Sequence, residues 1–401
     1  MQVSVWRALA IDVAPLRSSR EYRLLFTGQS VSFFGSMISF VVLPWQTYQL
    51  TRSSFAVGML GVVEFVSILS LAFVGGALAD YMDRRRMVRL TEGALAFGTL
   101  VLIINARLVQ PRVWVLFVCA ALFAALNSRR GNVAMIAGPA LGGVLVVALG
   151  PALTYGIDLL TFIVSLLTLA SMRAVPPPAD AERPSVKGVI EGLRYARSRP
   201  ELLGTYLVDI NAMFFGMPMA LFPAVAESFG GASIGLLYAM PAVGSLVATL
   251  VSGWTKRVQR HGLAVVIAAA CWGLAIIGFG YAGRLWLALF WLAVAGAADM
   301  ISGIFRLTIW NETIPDHLRG RLAGIELVSY TSGPMLGNAE SGIVASLFSL
   351  RTSIISGGIL CVVGTGLLAL WLPAFLRYDG REGLARKRAE EQTRNEAATV
   401  A

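Results

Sequence analysis

Twelve long apolar stretches constrain this chain more than any other feature of its sequence. An α-helix rises about 1.5 Å per residue, so about 20 apolar residues cross a hydrocarbon core of about 30 Å. Of the 401 residues, 56% are hydrophobic and only 14% are charged, whereas about a quarter are charged in soluble domains. The sequence therefore predicts an all-α membrane protein with twelve transmembrane helices. They are expected near residues 24–49, 55–79, 87–108, 112–127, 132–150, 152–172, 202–226, 233–254, 263–283, 285–305, 322–349 and 352–375.

The basic residues fall mainly on one side of this predicted bundle. With the N-terminus placed inside, 28 of the 33 lysines and arginines lie in inside segments. Cytoplasmic loops of membrane proteins carry such an excess. We therefore expect a multi-pass protein of the cell membrane with both termini in the cytoplasm. A net charge of +10 could suggest nucleic acid as a partner, but the placement of the basic residues on one side of the membrane argues against it. The outside arginines are Arg52, Arg107, Arg112, Arg284 and Arg351.

The longest polar connection divides the chain into two halves of six predicted spans each. It contains Pro176–Pro178, which cannot continue a helix, followed by an amphipathic segment at 186–197 that is typical of an interfacial helix. We expect five regions in all. They are a cytoplasmic N-terminus (1–23), a first half (24–172), a cytoplasmic linker (173–200), a second half (201–375) and a cytoplasmic tail (376–401).

Glycine-containing motifs recur at matching places in the two halves. The second span ends in a motif formed by Gly76, Asp80, Arg84 and Arg85, and the eighth span ends in a degenerate version of it. The segment Gly138–Gly143 in the fifth span is echoed by Gly333–Asn338 in the eleventh. Glycines allow neighbouring helices to approach closely, and arginines hold a helix end in the cytoplasm. The fifth-span motif consists of Gly138, Pro139, Gly142 and Gly143.

These motifs resemble those of the major facilitator superfamily. The Gly76 motif is similar to the loop signature between its second and third helices, although Tyr81 and Asp83 replace a basic residue and a glycine. The Gly138 motif resembles its antiporter motif. Two further segments, Ser19–Gly35 and Ile190–Pro200, resemble the branch of enterobactin exporters and macrolide efflux pumps. The resemblance implies two six-helix pseudo-repeats, a central substrate site and alternating access, with the Gly76 motif acting as a gate.

Carboxylates inside the predicted spans are candidates for proton coupling or substrate binding, because a buried charge costs about 2.5–3.5 kcal/mol there. Asp158 lies on a span that the resembled family places outside the cavity, so we expect a structural role for it. A structural contact is also the alternative for Asp209, whose neighbour Asn211 could satisfy it. On spans that line the family's cavity the candidates are Glu64, Asp209, Asp299 and Glu340.

The first half is 18 residues shorter than the second between matching glycines: Gly76 to Gly138 covers 62 residues and Gly253 to Gly333 covers 80. The second half carries the extra length in 306–321, which we expect to be a cytoplasmic connection. We therefore predict that span four stops near Asn127, with a tight turn at 128–131 and no helix before span five.

The sequence thus favours a secondary transporter, most simply a monomeric proton-coupled exporter of an amphipathic drug or siderophore. An importer of the same fold, or a relative that has lost transport and acts as a sensor or assembly partner, are the alternatives. We find no catalytic triad, Walker sequence or metal-ligand cluster in the sequence. We therefore expect that the protein is not an enzyme and that it binds no cofactor or metal.

Overall fold

The computed structural model describes residues 19–79, 84–127, 137–172, 194–315 and 318–381, with 383–387, 389 and 392 beyond them. In these ranges the chain is α-helical and contains no β-strand, as expected. We number twelve helical segments α1–α12. They are α1 Arg20–Thr51, α2 Ser54–Ala79, α3 Arg84–Arg107, α4 Val113–Asn127, α5 and α6 (137–149 and 151–170, the two parts of Ala137–Ala170), α7 Pro200–Ser228, α8 Ile234–Leu250, α9 His261–Tyr281, α10 Leu285–Thr313, α11 Arg319–Leu347 and α12 Leu350–Trp371.

Among the described residues, seven helices are long and apolar enough to cross a bilayer, and one of these contains both α5 and α6. Parts of α2, α4 and α8 are apolar but shorter. Segment α11 is less apolar, because it carries Arg319, Glu326 and Glu340. We call the side where α1 begins the terminal side and the opposite side, where α1 meets α2, the far side.

The predicted linker lies mainly outside the described residues. Only its last part is seen, where residues 194–198 form a short helix before α7. This helix is tied to the bundle by the Tyr195 hydroxyl, which donates to the carbonyl oxygen of Thr313 at 3.1 Å. The division into a first half, a linker and a second half therefore stays a prediction. For the structure we use first half for α1–α6 and second half for α7–α12.

The prediction for the connection after span ten was wrong. Segment α10 does not end at 305 but continues to Thr313, and Ile314 then leaves the helix in an extended conformation before Pro315. Residues 306–313 contain no glycine or proline, so nothing in their sequence stops the helix. As a result Arg306 is a buried helical residue, with 5% of its surface exposed, and not part of a loop.

The C-terminal segment packs back onto the terminal side of α7 and α9. Phe375 is fully buried in a short helix, Pro373–Leu376. Its ring lies against Gly204 of α7 and its backbone against Gly262 of α9, where an added methyl group would clash. Tyr378 follows, and its hydroxyl lies 3.1 Å from that of Thr313. Burial raises the pKa of Tyr378, so this hydroxyl stays neutral.

This packing predicts that the Phe375→Ala variant is less stable. Removing a buried phenylalanine from a core costs about 3–5 kcal/mol, because a cavity replaces its contacts. We expect a lower thermal midpoint for the purified protein in detergent, measured by intrinsic fluorescence. Arg377→Ala is the matched control, since that side chain is exposed in the same segment. Equal midpoints for the two variants would contradict the proposed packing of Phe375.

Candidate functional site

A cavity of about 220 Å³ lies between the helices and is lined mainly by α1, α2 and α4, with fewer residues from α3, α6, α7, α8 and α11. Its wall is largely aromatic and aliphatic, with methionines contributed by α1, α7 and α11. The polar groups that reach it include two carboxylates, Glu64 of α2 and Asp158 of α6. The side chains that line the cavity include Phe33, Ser36, Met37, Ser39, Phe40, Glu64, Phe123, Asp158, Phe162, Met219, Tyr238, Met335 and Asn338.

Part of the cavity wall is a break in α7. Regular helix ends at Gly216, and Met219–Leu221 form a short turn before the helix resumes. Three side chains from other helices satisfy the freed backbone groups. Trp272 donates to the Gly216 carbonyl at 3.1 Å, Tyr238 donates to the Met219 carbonyl at 3.2 Å, and the Asn338 amide oxygen accepts from Ala220 N–H at 3.0 Å. Irregular backbone at this depth is tolerated where protein or a cavity surrounds it.

Glu64 is the only one of the four candidate carboxylates that lines this cavity. Within the described part of the chain its side chain makes no hydrogen bond or ion pair. Gly61 lies one turn before it on α2, in contact with the backbone of Met335 on α11. The carboxyl group therefore faces the cavity beside the contact between the two halves of the bundle.

Asp209 lies elsewhere and is paired with a residue that sequence reasoning missed. Its carboxylate forms a buried ion pair with Arg306 of α10, and both side chains are about 5% exposed. Ser329 of α11 lies 3.5 Å from the same carboxylate. The expected contact with Asn211 is absent, because Asn211 donates instead to the Cys361 carbonyl at 3.0 Å. A buried arginine signals such a partner, but placing Arg306 in a loop hid that signal.

One aromatic ring lies against the Arg306 guanidinium group, and a second ring packs on the first. The centroid of the Tyr330 ring lies 5.9 Å from it, within the range of a cation–π contact. Trp310 stacks edge-on against Tyr330 and donates its indole N–H to Thr205 of α7 at 2.9 Å. The ion pair is therefore held in a rigid setting that links α7, α10 and α11.

The remaining two candidate carboxylates are not brought together. Asp299 lies 3.5 Å from Arg306 on the same helix, but its side chain is 40% exposed. Glu340 is half-buried on α11 and makes no hydrogen bond within the described residues. Neither lines the cavity.

The α5 motif forms close helix contacts. Gly138 and Gly142 pack against Met37 and Ile38 of α1, and Gly143 meets the backbone of Gly235 on α8. The repeated motif on α11 does the same, because Gly333 and Gly337 pack against α7. Glycines at these positions let backbones touch without side chains between them.

The two halves meet on the far side. Gly58 of α2 contacts the backbone of Asn338 and Ala339 on α11. On the same side Arg52, after α1, forms an ion pair with Glu227 at the end of α7, and Gln49 donates to Glu227 at 2.8 Å. Together with the Gly143–Gly235 contact, these interactions join α1, α2 and α5 to α7, α8 and α11.

The gating motif is only partly described. Asp80 lies outside the described residues, while Gly76 is near the end of α2 and Arg84 begins α3. Arg85 donates to the carbonyl oxygens of Leu169 and Ala170, at 3.1 and 2.7 Å. A cation there satisfies the last carbonyl groups of α6 and opposes the negative end of its dipole.

The predicted turn at 128–131 also lies outside the described residues, so the shape of that connection stays a prediction. Within the described ranges α4 has 15 residues and α10 has 29. The second half thus carries the terminal-side extension that holds Arg306 and Trp310.

We predict that the Asp209–Arg306 pair behaves as a unit. Asp209→Asn or Arg306→Gln alone should lower stability by about 3–5 kcal/mol, because the partner charge is left buried and unpaired. The double variant should recover most of that loss. Thermal midpoints in detergent would measure this cycle, with Glu340→Gln as control, because Glu340 is half-buried and forms no ion pair among the described residues. Additive losses in the double variant would contradict the pairing.

The chain is similar to known proteins over most of its length. A family model described as transmembrane secretion effector matches residues 10–125 and 119–393, and its two pieces overlap within α4. Enterobactin exporter EntS of Citrobacter koseri is 27% identical over 394 residues, covering 90% of this chain and 94% of that protein. The exporter of the same name from Escherichia coli O1:K1 / APEC is 26% identical, covering 89% and 93%.

Solved transporter structures share the fold at low identity. The nucleoside transporter NupG superposes with a TM-score of 0.66 at 12% identity, covering 89% of this chain and 100% of that one. A bacterial homologue of the human lysosomal transporter Spinster, inward-facing and unoccupied, gives 0.64 at 14% identity, covering 92% and 99%. The family match spans most of the sequence, and the helices are arranged as in these transporters. The chain therefore belongs to the transmembrane secretion effector family, within the major facilitator superfamily of membrane transporters.

Proposed function

We propose that this chain is a secondary transporter that exports an amphipathic small molecule, a siderophore or a drug-like compound, from the cell. The observation that carries the proposal is the similarity to enterobactin exporters, which extends over 90% of the chain. Such an exporter needs a central site that opens to each side in turn. It would work as a monomer within the bilayer.

For the orientation we propose that the terminal side is cytoplasmic. The excess of lysine and arginine on that side supports this assignment. The far side, closed by Arg52–Glu227 and by the glycine contacts, is then the outside. The described conformation would be the inward-facing one, ready to take a substrate from the cytoplasm.

The cavity wall suits an amphipathic substrate. Phenylalanines and flexible methionines offer adaptable apolar contacts, and Asn338, Tyr238 and Glu64 supply a few polar ones. Its volume of about 220 Å³ is below the roughly 300–1,000 Å³ of pockets for drug-sized ligands. A substrate of siderophore size would therefore require the cavity to widen toward the cytoplasm.

We propose that Glu64 couples transport to inward proton flow. A carboxyl group that faces the cavity without a cationic partner can bind a proton in one state and release it in another. Asp209 is proposed to act with Arg306 as a charge pair that fixes α7 to α10. Asp299 and Glu340 remain weaker candidates because they lie outside the cavity lining.

The Glu64→Gln variant should lose the response of transport to a pH gradient. We propose to load proteoliposomes with enterobactin, or with ethidium as an amphipathic dye, and to measure movement with and without a gradient. The wild type should export at least one of them and the variant should retain equilibrium exchange, which moves no net proton. Ser36→Ala, on the same cavity wall, is the control. Gradient-driven accumulation in the opposite direction would indicate an importer, and no movement of any probe would favour the sensor alternative.

We further propose that Asp80, Arg84 and Arg85 close the cytoplasmic side when the outside opens. Asp80→Asn should preserve insertion into the membrane but reduce efflux strongly, by about tenfold or more, because a charge contact at a helix end is lost. Efflux per inserted molecule in vesicles measures this. Asp83→Asn is the matched control in the same loop. Unchanged efflux by Asp80→Asn would remove the gate assignment.

A further inference from the structure

Asp158 has a setting that neither its position on α6 nor the family resemblance implied. Its side chain is 1% exposed to solvent, yet it forms part of the cavity wall together with Glu64. We propose that Asp158 is a proton-binding residue of the transport cycle, acting in the same cavity as Glu64. This inference rests on the proposed function, since it assumes that transport is coupled to protons.

In the part of the chain that the structure describes, only hydroxyl groups bind the Asp158 carboxylate. Ser39 of α1 donates a short hydrogen bond to it, and the hydroxyls of Thr99 on α3 and Thr161 on α6 lie 3.4 Å away. Among the described residues no arginine, lysine or histidine pairs with it. Asp209 differs here, because Arg306 compensates its charge whether or not the substrate is bound. When water is excluded, protonation stabilises a carboxylate that has only neutral donors more than it stabilises one that is paired with a cation.

A glycine brings this carboxylate to the cavity. At Gly35 of α1 an added methyl group would meet Asp158 Oδ1 at 2.5 Å and would also clash with Thr161. Helices α1 and α6 are therefore in close contact at this level. The Asp158 side chain lines the same cavity as Ser36, Ser39 and Phe40 of α1. Because α1 provides much of this wall, a change at Asp158 alters the cavity directly.

The titratable groups around Asp158 come from four helices. Glu92 of α3 is a charged group whose field acts on Asp158, and its carboxylate accepts hydrogen bonds from Ser32 and Gln29 of α1. Tyr155 lies one turn away on α6, beside Cys119 of α4. Glu64 faces the cavity from α2. All these groups are neutral or acidic, so none stabilises a negative charge on Asp158.

Proton binding would change the contact between α1 and α6. The ionised carboxylate accepts the hydrogen bond from Ser39, whereas the protonated group must place its own O–H in the same small space. The proton would come from water on the outside and leave to water in the cytoplasm. Proton binding would weaken the contact between α6 and α1, and proton release would restore it.

The test combines spectroscopy with transport. Infrared difference spectra of the purified protein, taken across a pH titration, should contain a protonated-carboxyl C=O band that is absent in Asp158→Asn. In proteoliposomes loaded with enterobactin, that variant should lose at least tenfold of the gradient-driven efflux but keep equilibrium exchange. Glu201→Gln is the matched control and should leave both readouts unchanged, since Glu201 is also a buried acid but does not line the cavity.

A second variant keeps the test decisive if Asp158→Asn does not fold. Ser39→Ala removes one donor to the carboxylate and should shift the pH at which the band titrates. Ser36→Ala should not, because Ser36 makes no hydrogen bond to any described residue. An unchanged band and unchanged driven efflux in Asp158→Asn would overturn the assignment. If the wild type itself ignores the pH gradient, the proton coupling in the proposed function fails first.

Discussion

The exclusion of water from the bilayer core is the constraint on which this structure depends. Lipid offers no hydrogen-bond partner, so polar groups at this depth either bind other protein groups or face a cavity. The break in α7 exists only because Trp272, Tyr238 and Asn338 satisfy its backbone from three other helices. The Arg306–Asp209 pair obeys the same requirement for charge. Polar contacts thus determine which helices must remain neighbours during any movement.

Glycine contacts provide the complementary freedom. The pairs α2–α11 and α5–α8 touch through backbone at Gly58, Gly61, Gly143 and Gly235. Surfaces without side chains between them can slide or tilt with little repacking, whereas interlocked side chains cannot. The same motif occurs in α5 and α11, so the two interfaces are related by the internal repeat. This relation suits a rocking movement about the substrate site.

The two halves treat buried charge differently. In the second half an arginine neutralises Asp209 away from the cavity, and the Tyr330 ring lies over that arginine. In the first half Asp158 is bound by hydroxyl groups, and no cation pairs with it among the described residues. The cavity lies mainly against this first half. We infer that the second half serves as the charge-balanced frame and the first half as the part that responds to protons.

The sequence by itself determined the helix number, the order of the spans and the family, because bilayer thickness fixes the length of an apolar segment. It also located the glycine motifs, because glycines at these positions indicate that neighbouring helices approach closely. Only the tertiary structure decided which polar side chains meet. Arg306 pairs with Asp209, Asn211 turns to α12, and Asp158 reaches the cavity. These outcomes depend on the rotation of each helix about its axis, which packing against distant helices sets and which hydropathy along one segment does not encode.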